Sequence, residues 1–173
     1  MSQWTIRKKN PNKANLKPHI SNTALVNSKA EIRGKVFICE SATIGKSKIS
    51  AGNDQNIHIG KDATIKDNVL ICAEVVNPPD TDKKSKQVRD IFIGNNVFIS
   101  SGSYIYGPTI ISDRVYIGQK TKIINSKIGE GCIIEDNVLI KNSVIPPDTY
   151  IRADSNIDSI ENYKLSRKIQ LIS

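Results

Sequence analysis

Two histidines, His19 and His58, and three cysteines, Cys39, Cys72 and Cys132, carry most of the reactive chemistry in this sequence. Neutral imidazole and thiolate are the usual zinc ligands and the usual bases and nucleophiles of group-transfer sites. Their spacing argues against the local forms of that chemistry. The cysteines lie far apart with no Cys-x-x-Cys pair, which speaks against a zinc ribbon or a disulfide framework. Free thiols fit a reducing compartment. His19 precedes the first coil of the repeat, and His58, between Ile57 and Ile59, takes an outward position in its strand. A catalytic constellation would therefore have to be assembled by the fold from distant positions.

The elements that would do so come from a repeat. Ile20, Val26, Ile32, Ile38 and Ile44 stand six apart, and Ile59, Ile65 and Ile71 resume the spacing. Ile93, Ile99, Ile105, Ile111, Ile117 and Ile123 follow. The phase slips by one at Ile128, Ile134 and Ile140, and again at Ile145 and Ile151. Two residues before most of these aliphatics stands a slim side chain, as at Ala42, Ala63, Val97, Ser103, Thr121 and Cys132. Glycine often follows the aliphatic, as at Gly45, Gly60, Gly94, Gly118 and Gly129.

A period of six matches neither a helix nor a plain amphipathic strand. It matches a short strand and a tight turn, and three such units wind a triangular coil of roughly 18 residues. The aliphatic residue points into the prism, and the slim residue occupies the corner. Five to six coils stacked at about 4.8 Å make a prism on the order of 25–30 Å long. Two stretches interrupt the phase: Ser50 to Asn56, and Ala73 to Asp90 with its Asn77-Pro78-Pro79-Asp80 and Lys83-Lys84-Ser85-Lys86. The second reads as a long loop, a favoured place for function. From Ser155 the hexad is lost. Ile157, Ile160, Lys164 and Leu165 fall at helical spacing, with Asp154 and Ser155 as N-cap candidates. The expected organisation is an extended arm over 1–17, an all-β parallel helix over 18–154 with a loop at 73–90, and a C-terminal α-helix over 155–173.

The segment Asn95 to Pro108, ending Tyr106-Gly107-Pro108, resembles the stretch of γ-class carbonic anhydrases that ends His-Gly-Pro. Ile128-Gly129-Glu130-Gly131-Cys132 is similar to that family's late coil, and Ile145-Pro146-Pro147-Asp148-Thr149-Tyr150-Ile151 to its closing turn. Asn162 to Ser166 resembles the start of its C-terminal helix, and the 73–90 loop falls where one subgroup carries a loop. That subgroup holds the archaeal-type enzyme and the N-terminal domain of a carboxysomal scaffold protein. The resemblance implies a left-handed β-helix, a homotrimer and three zinc sites between subunits.

It also identifies what is missing. Zinc hydration of CO₂ needs three neutral imidazoles and an open position where metal-bound water ionises near neutral pH. By the resemblance, the ligand positions are Cys72, Ser101 and Tyr106, and no ligand histidine remains. Hydroxyls are poor neutral ligands. The glutamine that orients the family's zinc-bound water matches Lys66, beside Asp67, and the family's Arg-x-Asp is absent from Ile49-Ser50-Ala51-Gly52-Asn53. Lys66 and Asp67 are candidates for a pocket at a subunit interface. No metal and no other cofactor is expected.

The expectation is a catalytically inactive γ-carbonic-anhydrase-like trimer, serving as a structural, assembly or ligand-binding subunit of a larger protein complex. A hexapeptide acyltransferase is the first alternative, although such enzymes usually set a histidine base in the groove between subunits. A carbonic anhydrase with a rearranged metal set is the second. The net charge of +8 comes from lysines scattered over every segment, which does not favour nucleic-acid binding. No run of eighteen apolar residues is present to span a membrane. The start lacks a signal-peptide core, so a cytoplasmic protein is expected, with organellar import left open by the basic, acid-free first 17 residues.

Overall fold

The isoleucine ladder is the core of the structure. A computed structural model describes residues 17–52, 54–73 and 89–158. Those residues form three parallel sheets of seven strands each. The first sheet holds β1 (His19–Ile20), β4 (Lys35–Ile38), β7 (Asn56–Ile59), β10 (Ile91–Ile93), β13 (Thr109–Ile111), β16 (Lys127–Ile128) and β19 (Val144–Ile145). The second holds β2 (Leu25–Val26), β5 (Thr43–Ile44), β8 (Thr64–Ile65), β11 (Phe98–Ile99), β14 (Tyr116–Ile117), β17 (Ile133–Ile134) and β20 (Tyr150–Ile151). The third holds β3 (Glu31–Arg33), β6 (Lys48–Ala51), β9 (Leu70–Ala73), β12 (Tyr104–Tyr106), β15 (Lys122–Ile124), β18 (Leu139–Lys141) and β21 (Asn156–Ile157). Consecutive strands visit the three sheets in turn, so each coil contributes one strand to each face of a prism. This is a β-solenoid that matches a left-handed β-helix.

The coil count is seven, not five to six. Ile49 and Ile157 each complete a coil that the bare six-residue count leaves open. Ile49 pairs with Ile71 and Ile157 with Ile140, and both point inward. The repeat therefore runs past 154. Residues 156–157 are strand, and Ile157 belongs to the core, not to a helix. The rest of the expected C-terminal helix, most of the N-terminal arm and residues 74–88 of the long loop lie outside the described residues.

The first interruption is also shorter than the sequence suggested. Ser50 and Ala51 end β6 and Asn56 begins β7, leaving only 52–55 between strands. The slim-corner rule holds at Ala42, Ala63, Val97, Ser103, Thr121 and Cys132, all buried. It breaks at Ile57 and Ile91, which are stacked on each other in that position. Each directly follows a place where extra chain enters the corner, so the corner is wider there and takes a bulky side chain.

The glycines after the aliphatics have a specific cause. A Cβ at Gly45, Gly94 or Gly118 would press into the carboxylate Oδ1 of Asp67, Asp113 or Asp136 in the next coil. Those same oxygens accept the backbone N–H of Lys46 (2.7 Å), Asn95 (2.8 Å) and Gln119 (2.7 Å). Glycine leaves room for an aspartate that caps the turn of the coil beside it. Most non-glycine residues with positive φ are Asn or Asp at these turns, among them Asn68, Asn96, Asn137 and Asp154, the types that tolerate that region best.

Candidate functional site

Cys72 and Tyr106 are brought together by register. β9 and β12 are adjacent, Cys72 pairs with Tyr106, and Ser50 pairs with Cys72 on the other side. The residues flanking Cys72 and Tyr106 in their strands point inward, so these two side chains stand on the outer face of the third sheet. Both are partly buried. Burial pushes the Tyr106 phenol above its ordinary value, and the nearby Cys72 and then Tyr104 add to the shift. A phenol that holds its proton more tightly is a still poorer metal ligand.

Ser101 is elsewhere. It lies in the turn between β11 and β12, with its carbonyl accepting the Lys120 N–H at 3.2 Å. The five residues to Tyr106 place it at most about 17 Å away, at the opposite end of the strand. Lys66 and Asp67 occupy the same edge one coil earlier, between β8 and β9. The Gly102 N–H donates to the Asp67 carbonyl at 3.3 Å, which ties the two turns together. The Lys66 ammonium lies 5.4 Å from the centroid of the Phe98 ring. The Asp67 carboxylate is engaged within the chain by Lys46, in the role that Asp113 and Asp136 also play. The sequence-selected residues thus fall into two groups at opposite edges of one sheet: Cys72 with Tyr106, and Ser101 with Lys66 and Asp67.

This donor set does not fit zinc. Within one chain it offers a single thiol beside a phenol whose proton is held tightly. Among the described residues no group of three or more His, Cys, Asp or Glu is placed to hold a metal ion. Neither histidine approaches Cys72. His19 and His58 sit in one outward column of the first sheet, paired with Phe37.

The Tyr106-Gly107-Pro108 motif has its own geometry. The Gly107 N–H donates to the Cys72 carbonyl at 3.1 Å, and a Cβ on Gly107 would collide with the Arg89 carbonyl, where the chain returns from the long loop. The Gly107–Pro108 bond is cis. Beyond it opens a shallow groove of about 280 Å³, bounded by Pro108, Ile110, Asn125, Lys127, Asn142 and Val144. Asn125 donates to Asn142 at 2.7 Å, and Asn142 to Asp158 at 3.2 Å, forming an amide rail along its edge. Sequence reading missed this groove. Its only signal was that Asn125 and Asn142 sit at matching places in the two corners where the phase slips.

Fold and site together define a hexapeptide-repeat β-helix protein without a recognisable catalytic metal centre among the described residues. Its homologues are γ-carbonic-anhydrase-like. The chain is 30% identical over 134 residues to the carboxysome assembly protein CcmM of Nostoc sp., covering 76% of this chain and 24% of that protein. It is 26% identical over 155 residues to a carbonic anhydrase of Methanosarcina thermophila, covering 82% of this chain and 61% of the enzyme. The chain thus spans about a quarter of the first relative and under two thirds of the second. Among solved structures, LpxA of Bacteroides fragilis, a UDP-N-acetylglucosamine acyltransferase, superposes with a TM-score of 0.54 at 19% identity. That match covers 82% of this chain and 68% of LpxA, and it shows the fold. No family model matches the chain. Among the described residues no helix is long and apolar enough to cross a membrane.

Proposed function

We propose that this protein is a catalytically inactive γ-carbonic-anhydrase-like subunit that works as a homotrimer, with an assembly role within a larger cytoplasmic protein complex. The observation that carries the reading is the outer column Ser50–Cys72–Tyr106. Two of its residues, Cys72 and Tyr106, hold positions where the resemblance to γ-class carbonic anhydrases implies imidazoles, and they supply a thiol and a phenol instead. The split of the site positions supports the trimer. Cys72 and Tyr106 stand at one edge of the third sheet, and Ser101, Lys66 and Asp67 at the other. A site that joins the two groups must take one from each of two neighbouring copies. Relatedness to a carboxysome assembly protein supports the assembly role.

The acyltransferase alternative needs a base in its groove. Here the groove beside Pro108 is edged by amides, and neither histidine lines it: His19 and His58 stand on earlier strands of the same sheet, β1 and β7.

The test restores what is missing. The native protein is expected to sediment as a trimer, to hold far less than one zinc per chain and to show no CO₂ hydration above buffer. The triple variant Cys72→His, Ser101→His, Tyr106→His is expected to take up about one zinc per chain as the trimer, since three imidazoles make a sufficient set. Stoichiometric zinc in the native protein sinks the inactive reading. A folded, trimeric triple variant that binds no zinc shows that these positions do not converge.

A further inference from the structure

The three cysteines have different surroundings. Cys132 is buried, its thiol donates to the Pro146 carbonyl at 3.0 Å, and burial pushes its pKa up. Such a thiol is inert. Cys72 stands between Ser50 and Tyr106. Among the described residues Cys39 is the one with a base beside it: its Sγ lies 3.7 Å from His58 Nε2, and both side chains are partly exposed.

The geometry of this pair is built by the fold. Cys39 directly follows β4, where the chain turns toward the second sheet. His58 lies on the outer face of β7, the next strand, in register with Phe37 below and Phe92 above. The imidazole stacks on the Phe92 ring, with centroids 5.0 Å apart and planes within 4° of parallel. That stacking fixes the ring plane and holds Nε2 toward the corner where the thiol emerges. An apolar side chain would fill the column equally well, as Phe37, Phe92 and Ile110 do. Lys61 stands at the same corner, ion-paired with Glu40 at 2.7 Å. Its pKa is raised chiefly by Glu40, with a smaller contribution from Cys39.

We propose that Cys39 and His58 form a reactive thiol–imidazole pair, a modification site for small soft electrophiles of the peroxide class. His58 Nε2 accepts the proton from Sγ. The sulfur lone pair attacks one peroxide oxygen, an S–O bond forms and the O–O bond breaks. The departing hydroxide takes the proton from His58 and leaves as water. Sulfur is oxidised by two electrons to the sulfenic acid, and the peroxide is the species reduced. A thiolate beside an imidazolium is the reactive form in other Cys–His pairs. The site is separate from the Cys72–Tyr106 column and does not depend on the proposed function.

Iodoacetamide labelling of the full chain, followed by peptide mapping, reads Cys39 separately from Cys72 and Cys132. Cys39 is expected to react at least about tenfold faster at neutral pH than N-acetylcysteine, an unassisted thiol. His58→Phe keeps a ring against Phe92 but removes the nitrogens. It is expected to bring Cys39 down to the reference rate, and His58→Gln to do the same. Hydrogen peroxide with dimedone is expected to label Cys39 in the native chain and not in either variant. The wild-type comparison needs no variant to fold: a Cys39 rate no faster than N-acetylcysteine overturns the pair. So does a fast rate, or a dimedone adduct, that survives both substitutions. Fast alkylation with no dimedone adduct overturns the peroxide step.

Discussion

Single residues in this chain are constrained by the coil next door. Gly107 is a case where the cause is steric and not conformational. Its Cβ would meet the Arg89 carbonyl, and its N–H is already committed to Cys72. Gly107→Ala forces backbone against backbone, which no rotamer change relieves, and should cost about 1–3 kcal/mol, as overpacking does. Urea unfolding measures it, and an unchanged midpoint would mean that the return of the chain at Arg89 yields without cost. The same logic made much of the fold legible. The Ile ladder and the slim corner follow from a prism with one inward position per strand, so they appear in the sequence as a period. Ile57 and Ile91 escaped because they depend on where extra chain enters the corner. The Cys39–His58 contact escaped for a related reason. Ile38 pairs with Ile59, so that coil is 21 residues long, and counting by 18 does not bring the two side chains together. At the candidate site, the identities of Cys72, Ser101 and Tyr106 are read directly from the sequence. The division of the positions between two edges is not, because it depends on which sheet each strand joins.

At the scale of elements, the last coils are held by a clamp outside the ladder. The Tyr150 hydroxyl donates to the Glu135 carboxylate, and the Ala153 N–H donates to it at 2.8 Å. The Tyr150 bond first, and the Ala153 N–H second, hold the Glu135 carboxyl below its ordinary value. The bond to Glu135 raises the Tyr150 phenol in turn. A lowered carboxylate contributes stability above its unfolded pKa of about 4.3, and loses it as pH falls through the folded value. A raised phenol contributes below its unfolded pKa of about 10, and loses it as pH rises through the folded value. The clamp therefore works between those limits. Glu135→Gln should lower Tm at about pH 6, and the difference should shrink as pH falls from there through the native carboxyl's lowered value. Thermal melts of the two proteins across that range decide it: a gap that persists unchanged at the acidic end assigns the effect to packing and not to charge.

For the whole molecule the vulnerable places are the ends. A solenoid has no edges along its length, because each coil pairs with the next, but its terminal coils leave backbone groups unpaired. The seventh coil closes with β21, where Asn156 pairs with Leu139 and Ile157 with Ile140. A chain ended at Asp154 loses that strand and uncovers Ile140, otherwise fully buried. A chain ended at Asp158 keeps it. Losing the burial of one isoleucine costs about 1.5–3 kcal/mol. For a chain of this size that corresponds to a Tm lower by roughly 3–12 °C. The shorter chain should also form larger species on sedimentation, because its last third-sheet strand is left open for pairing with other chains. Comparison with the 158-residue chain isolates the strand from whatever follows it. If both truncations melt together and both stay dispersed, β21 contributes nothing to closing the prism.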